Sequence, residues 1–254
     1  RRISCGEAKP HPAPLIRDSH NIPVAIWACH RVAMHHQKRY PKDMAHLPEQ
    51  LLDGYRSFMA NRYASESGRY KTLADTGQKP KTMVIACCDS RAAPETIFDC
   101  GPGELFVVRN VANLVPPYKP DGEYHGTSAA LEFAVQSLKV TSIVVLGHGR
   151  CGGIAASLNQ SQEPLSPGDF IGHWMKLVQP AADIISANTL LTAGERQRAM
   201  ERVSIRFALQ NLRTFPCVKI LEGKGKLSLH GAWFDISTGE LWVMNPETGD
   251  FLRP

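Results

Sequence analysis

The chain has 254 residues, 43% hydrophobic and 21% charged, with a formal net charge of +5. That balance suits a globular protein with one substantial core, and no apolar run approaches the roughly 18 residues of a membrane span. The excess charge sits in residues 1–43, with eight Lys/Arg against three Asp/Glu, while the remainder holds 21 of each and lacks the basic stripe that nucleic-acid binding requires.

The seven cysteines (5, 29, 87, 88, 100, 151 and 217) are odd in number and irregularly spaced. This argues against a secreted disulfide framework and for a reducing compartment, so a cytoplasmic location is expected. Residues 1–43 include the Pro- and His-rich KPHPAPLIRDSHNIP and a single short apolar patch, VAIWAC. They read as a disordered or non-native extension ahead of Met44, with a basic organelle-targeting segment as the alternative.

Residues 44–254 read as a single α/β domain. LPEQLLDGYRSFMANRYA (47–64) places Leu47, Leu51, Leu52, Tyr55, Phe58, Met59 and Tyr63 on one helical stripe. KTMVIACC (81–88) and ELFVVRN (104–110) read as buried strands. HGTSAALEFAVQSLK (125–139) reads as a helix capped by Thr127 or Ser128. TSIVVLGH (141–148) is a third strand, with a Gly-rich turn into IAASL, and helices are expected near 169–188 and 194–213. Residues 216–243 read as a strand and then a hairpin, with turns at Gly-Lys-Gly (223–225) and Ser-Thr-Gly (237–239). Apolar strands alternating with helices imply a mostly parallel central sheet flanked by helices, with an N-terminal helical arm and an antiparallel C-terminal edge.

In open parallel sheets, ligands sit beyond the carboxyl ends of the strands. Two strands here end in chemically loaded turns, VIACCDSR and VVLGHGRCGG. His148 and Cys151, three apart, share a face if a helix starts there, and a cysteine from the first turn completes a Cys₂His set, the ligand type of an open zinc site. Side chains alternate along a strand, so Cys87, which shares parity with Asp89, is the expected third ligand, and Cys88 is left a small buried residue. Asp89 is placed to orient a metal-held hydroxide by accepting its hydrogen bond. Arg91 is placed to restrain that carboxylate from binding the metal itself.

Other readings compete for these residues. Gly147-His-Gly149-Arg-Cys-Gly152 matches G-x-G-x-x-G, with Asp169 about 20 residues on, which alone would suggest a dinucleotide site. Bulky His148 and Cys151 inside the loop argue instead for side-chain chemistry. Thiol redox chemistry from Cys87-Cys88 would close a strained ring. The remaining cysteines (5, 29, 100, 217) and histidines (46, 125, 173, 230) read as core or surface residues.

CCDSR (87–91), PGELFVVRNVAN (102–113) and GHGRCGG (147–153) together resemble the β-class carbonic anhydrases, over about residues 45–245. The resemblance implies one zinc per chain on Cys87, His148 and Cys151, with Asp89 as a fourth ligand in a closed state and Asp89 and Arg91 as the catalytic pair. It implies reversible hydration of carbon dioxide to bicarbonate in a homodimer or tetramer, with no nucleic-acid or membrane partner. Hydrolysis of carbonyl sulfide or carbon disulfide is the alternative on the same fold, and a structural zinc module is the non-enzymatic one. Gln78, Phe106, Val111, Phe133 and Gly152 match substrate-pocket positions, with Phe133 where many members carry a tyrosine. A regulatory bicarbonate pocket of some bacterial members needs a tryptophan, an arginine and a tyrosine. Arg109 is kept, but Val84 and Phe133 are expected to replace the aromatics with polar tips, so that pocket is expected to be absent.

Overall fold

The computed structural model describes residues 47–121, 124–159 and 163–254. The expectation for an extension over 1–43 lies outside them. The chain divides into two units, Arg1–Arg56 and Ser57–Pro254. In the first, the described residues open helix α1 (Glu49–Ala60), where Arg56 bonds Glu49 and Asp53, two turns and one turn back. The helix expected over 47–64 breaks at Asn61, and a second helix, α2 (Arg62–Thr76), follows and ends at Gly77, whose φ of 75° ordinary residues avoid.

The larger unit is built on six strands: β1 (Thr82–Cys87), β2 (Leu105–Asn110), β3 (Ser142–His148), β4 (Ser228–Phe234), β5 (Leu241–Met244) and β6 (Phe251–Leu252). Their order is β2-β1-β3-β4-β5-β6. The first four are mutually parallel, and β5 and β6 add an antiparallel edge. The apolar runs of β1 and β3 are nearly continuous because both faces of these central strands are covered. Met83, Ile85, Ile143 and Val145 face one core with Leu131, Ile205, Leu209 and Val218. Val84, Ala86, Leu146 and Ala232 face the other side, packed by Ile97, Phe98 and Phe234.

Three local expectations change. Residues 126–138 form a short helix, α4 (Gly126–Glu132), that widens into a π-helical turn at Phe133–Leu138, and no side chain caps its start. Thr127 instead accepts a hydrogen bond from Asn110. The stretch 169–188 divides into α6 (Phe170–Met175), a 3-10 turn and α7 (Gln179–Ala187), with Pro180 in the first turn of α7. The strand expected after 216 is a helix, α9 (Pro216–Gly223), and only the second part of that region forms the hairpin. Short apolar runs do not distinguish strand from helix. Here Pro216 at the helix start and Val218 and Leu221, one turn apart against the core, decide it.

Between these lie α3 (Pro94–Ile97), α5 (Gly152–Ser157) and α8 (Ala193–Leu212). α8 starts at a reciprocal cap in which Thr192 Oγ1 accepts from Glu195 N–H and Glu195 accepts from Thr192 N–H. It lies against β3 and β4, where glycines 147 and 231 leave room for Ile205: a Cβ at either would meet that side chain at 2.8–2.9 Å.

Candidate metal centre

The parallel register that sets Ala86 beside Leu146 carries the carboxyl ends of β1 and β3 to the same edge. There Cys87, His148 and Cys151 converge, all buried, with their ligand atoms within 4.8 Å of one another. The two sulfurs are 3.9 Å apart. Two thiolates about 2.3 Å from a tetrahedral zinc would lie ~3.8 Å apart, so the spacing fits that ion. The imidazole is oriented for the same task. Its Nδ1 lies 2.9 Å from the Gly149 carbonyl, so Nδ1–H donates there and Nε2 is the free acceptor. Nε2 is buried without a hydrogen-bond partner, an arrangement costly in a site that holds nothing and natural in one that holds a cation.

The thiols are unequal. Cys87 is pulled well below the ordinary thiol range, to about 4, by the hydrogen bond from Cys151 and further by His148 and the Ala112 N–H. Cys151 is pushed up, by the negative charge it faces on Cys87 and by burial. Without metal the pair therefore shares one proton. Burial alone would lower His148, but its contacts with Cys87 and the Gly149 carbonyl outweigh that and raise it.

Asp89, two residues past Cys87, is turned onto Arg91. Oδ1 accepts from Arg91 Nε at 2.9 Å and Oδ2 from Nη2 at 2.7 Å, while Arg91 N–H also donates to Oδ1 at 3.0 Å. This fork holds the Asp89 carboxyl below the usual carboxylate range despite partial burial. Its Oδ2 remains 3.8 Å from His148 Nε2, adjacent to the ligand set and held back from it. Arg91 Nη2 also donates to the Arg150 carbonyl at 3.3 Å, tying the first turn to the second.

Residues outside the two ligand turns hold these turns in place. Arg109, on β2 beside β1, donates to the carbonyls of Cys87 (2.8 Å) and Asp89 (2.6 Å) and so clamps the strand end. Ala112 and Asn113 both adopt left-handed conformations, which brings the Ala112 N–H within 3.3 Å of Cys87 Sγ. Behind the second turn, Glu201 of α8 is buried and accepts from Cys151 N–H, Gln197 and Trp233. Burial raises its pKa, and these donors oppose the shift.

Cys88, expected to be buried, is exposed, because the strand has ended and its side chain turns outward. Its outward turn from buried Cys87 also argues against a redox pair. Two glycines of the G-x-G-x-x-G match serve packing. A Cβ at Gly147 would meet Ile205 at 2.8 Å and one at Gly149 would meet Trp233 at 3.1 Å, whereas one at Gly152 would meet open space. The left-handed residue of the loop is Arg150, and its two ligand side chains point inward.

The expected pocket residues divide. Gly152 starts α5 directly after Cys151, and Val111 adjoins Ala112 beside a cleft of about 470 Å³ that Trp174 and Phe170 also line. Gln78 is exposed at the amino end of β1, the end away from Cys87. Phe106 pairs in register with Met83, four residues short of the Cys87–Asn110 pair, about 13 Å along the strand. Its ring packs on that of Phe133 at 5.9 Å, and Phe133 is 48% exposed. Within one chain these three residues do not join the metal ligands. Nor do Val84 and Phe133 share a pocket: they lie on opposite sides of the sheet, and the aromatics on Val84's side are Phe98 and Phe234. Strand alternation is the reason, since Val84 and Phe106, which Phe133 covers, project to opposite faces.

A family model described as carbonic anhydrase matches residues 82–241. The carbonic anhydrase of Pseudomonas aeruginosa is 38% identical over 202 residues, covering 80% of this chain and 90% of that protein. Beta carbonic anhydrase 5, chloroplastic, of Arabidopsis thaliana is 38% identical over 192 residues, covering 74% of this chain and 62% of that protein. Among solved structures, the β-carbonic anhydrase CcaA superposes with a TM-score of 0.75 at 31% identity, covering 81% of this chain and 91% of that one. A pair of tetrameric β-carbonic anhydrases from Sordaria macrospora is represented by a match with a TM-score of 0.66 at 27% identity, covering 80% and 98%.

Proposed function

This chain belongs to the β-class carbonic anhydrase family, whose reaction is the reversible hydration of carbon dioxide, and we propose that it runs that reaction on one zinc ion held by Cys87, His148 and Cys151, with Asp89 and Arg91 as the catalytic pair. The observation that carries the metal reading is the partnerless Nε2 of buried His148, facing two thiols spaced as zinc thiolates are. When bound, zinc acts as a Lewis acid that acidifies a water towards neutral pH and so supplies the nucleophile.

The chain's own residues account for the rest. Asp89 presents its carboxylate 3.8 Å from His148 Nε2, within reach of a hydroxyl in the site, and accepts that hydroxyl's proton as a hydrogen bond, which fixes a lone pair towards the incoming carbon. Arg91 keeps Asp89 ionised and prevents it from becoming a metal ligand itself, because both carboxylate oxygens are already engaged. Closure of Asp89 onto the metal requires breaking that fork. Arg109 fixes both carbonyls of the Cys87–Asp89 segment, so ligand and carboxylate keep a constant relation.

A substrate role for Gln78, Phe106 and Phe133 requires a second copy of the chain, whose exposed Phe133 edge would close the pocket, and we assign a homodimer or tetramer accordingly. The tetrameric relatives from Sordaria macrospora support that assignment. The five described cysteines are free, and a reducing, cytoplasm-like location remains our inference from the cysteine pattern of the sequence, with organelle targeting as the alternative. No described helix is long and apolar enough to cross a membrane.

Stopped-flow hydration of carbon dioxide by zinc-quantified protein tests the reading. Fast turnover with about one zinc per chain is expected. Zinc without turnover on carbon dioxide, but with turnover on carbonyl sulfide, would overturn the substrate assignment. A folded protein that takes up no zinc would overturn the ligand set.

A further inference from the structure

The ligand Cys151 sits in a turn that does not hold itself. Arg150, just before it, has a φ of 58°, a left-handed conformation that residues with a side chain disfavour. Cys151 is also the residue at which α5 begins, and no side chain from the turn caps that start. Its carbonyl accepts from Ala155 N–H of α5 at 2.9 Å, but what takes up its N–H comes from 50 residues away, on α8. Glu201 Oε1 accepts from Cys151 N–H at 3.1 Å, and Gln197 Nε2 donates both to that oxygen (3.2 Å) and to the Cys151 carbonyl (3.4 Å). The other oxygen, Oε2, accepts from Trp233 Nε1 at 3.1 Å.

A carboxylate is an expensive group to bury, and Glu201 is 1% exposed with no ion pair among the described residues. An apolar residue would fill the same space at less cost. What the carboxylate supplies is two acceptors in a fixed plane, one for the ligand's peptide and one for the indole of β4. The peptide between Arg150 and Cys151 is thereby held at a set tilt, and that tilt directs the Cys151 Cα–Cβ bond towards Cys87 and His148. We propose that Glu201 is a positioning residue for the metal centre, acting through the Cys151 backbone with Gln197 as its bridge. The inference rests on Cys87, His148 and Cys151 being the zinc ligands.

Glu201→Gln preserves size but places an N–H₂ group against a donor whichever way the amide turns: Cys151 N–H and Gln197 on one side, Trp233 on the other. Trp233→Phe removes the hydrogen bond to Oε2 and the outer ring that packs on Gly149, and leaves the bond from Cys151 N–H to Oε1. The test compares zinc affinity of the purified full-length variants, by competition with a chromophoric chelator, with their metal-free melting temperatures and the thiolate-to-cobalt absorption of cobalt-loaded protein. Glu201→Gln is expected to weaken zinc binding by about 10–100-fold and shift the cobalt spectrum, whereas Trp233→Phe lowers the melting temperature and changes zinc affinity by less than about threefold. Should Glu201→Gln fail to fold, half-buried Gln197→Ala serves in its place, with zinc affinity about three- to tenfold weaker. Unchanged zinc affinity and spectrum in whichever variant folds would overturn the proposal, as would zinc loss that simply tracks melting temperature in both variants. Wild-type protein that binds no zinc would instead overturn the ligand assignment on which the proposal stands.

Discussion

Asp89→Asn separates holding the metal from using it. The carboxylate accepts three hydrogen bonds from Arg91, at 3.0 and 2.9 Å on Oδ1 and 2.7 Å on Oδ2. An asparagine offers one oxygen and turns an N–H₂ towards a guanidinium N–H, so at least one bond is lost and the guanidinium loses its counter-charge. The effect on folding is small, because the Arg91 side chain is 51% exposed and solvent screens the pair. A fall in melting temperature of no more than ~4 °C is expected. Zinc content should not change, since Asp89 is held away from the ligand set. Turnover should fall by at least ~10²-fold, the lower end of what a positioned proton acceptor contributes. Stopped-flow hydration with a pH indicator at mildly alkaline pH, with elemental analysis on the same samples, reads both quantities. Near-normal turnover at full zinc content would refute the catalytic role, and loss of zinc would refute the separation between Asp89 and the ligands.

Cys87→Ser should leave a folded chain that retains no zinc on elemental analysis. In the metal-free, reduced wild type, the Cys87 pKa is lowered to about 4. Its thiolate therefore stabilises the fold above the ordinary thiol pKa of ~8.5, and that contribution is lost as pH falls towards 4. Between pH 8 and pH 5 the melting temperature should drop, and Cys87→Ser should flatten this slope; an unchanged slope would contradict the assignment. Ile205→Ala, at a fully buried position between the glycines of β3 and β4, should cost about 2–5 kcal/mol and lower the melting temperature by roughly 5–20 °C. Bicarbonate should inhibit without cooperativity, since Val84 and Phe234 on the Arg109 side of the sheet carry no polar tips; a steep, cooperative inhibition curve would show a regulatory pocket built differently.

The chemistry was legible where it sits in short motifs at the ends of apolar runs. Strand parity alone favoured Cys87 over Cys88, since only alternate residues of β1 face the ligand edge. The same alternation misled where it was not applied: Val84 and Phe133 were grouped by resemblance, although β1 sends Val84 to the side opposite the Phe106–Phe133 pair. The helix at 216–223 was missed because four or five apolar residues satisfy either period, and only the core against which Val218 packs chooses between them. Free cysteines are usually buried, but β1 ends at Cys87 and leaves Cys88 exposed.

The sequence by itself determined which candidate ligands stand at strand ends and which carboxylate and guanidinium lie next to them, because each lies within a few residues of its neighbours. Only the tertiary structure decided what holds that set together. Parallel pairing of β1 with β3 brings Cys87 to His148 across 61 residues of chain, Arg109 reaches back across a sheet register, and Glu201 reaches from a helix 50 residues on. The roles of such partners carry no local signal, since a buried carboxylate or a strand arginine is defined by what it faces. What it faces is set by how sheet and helix pack.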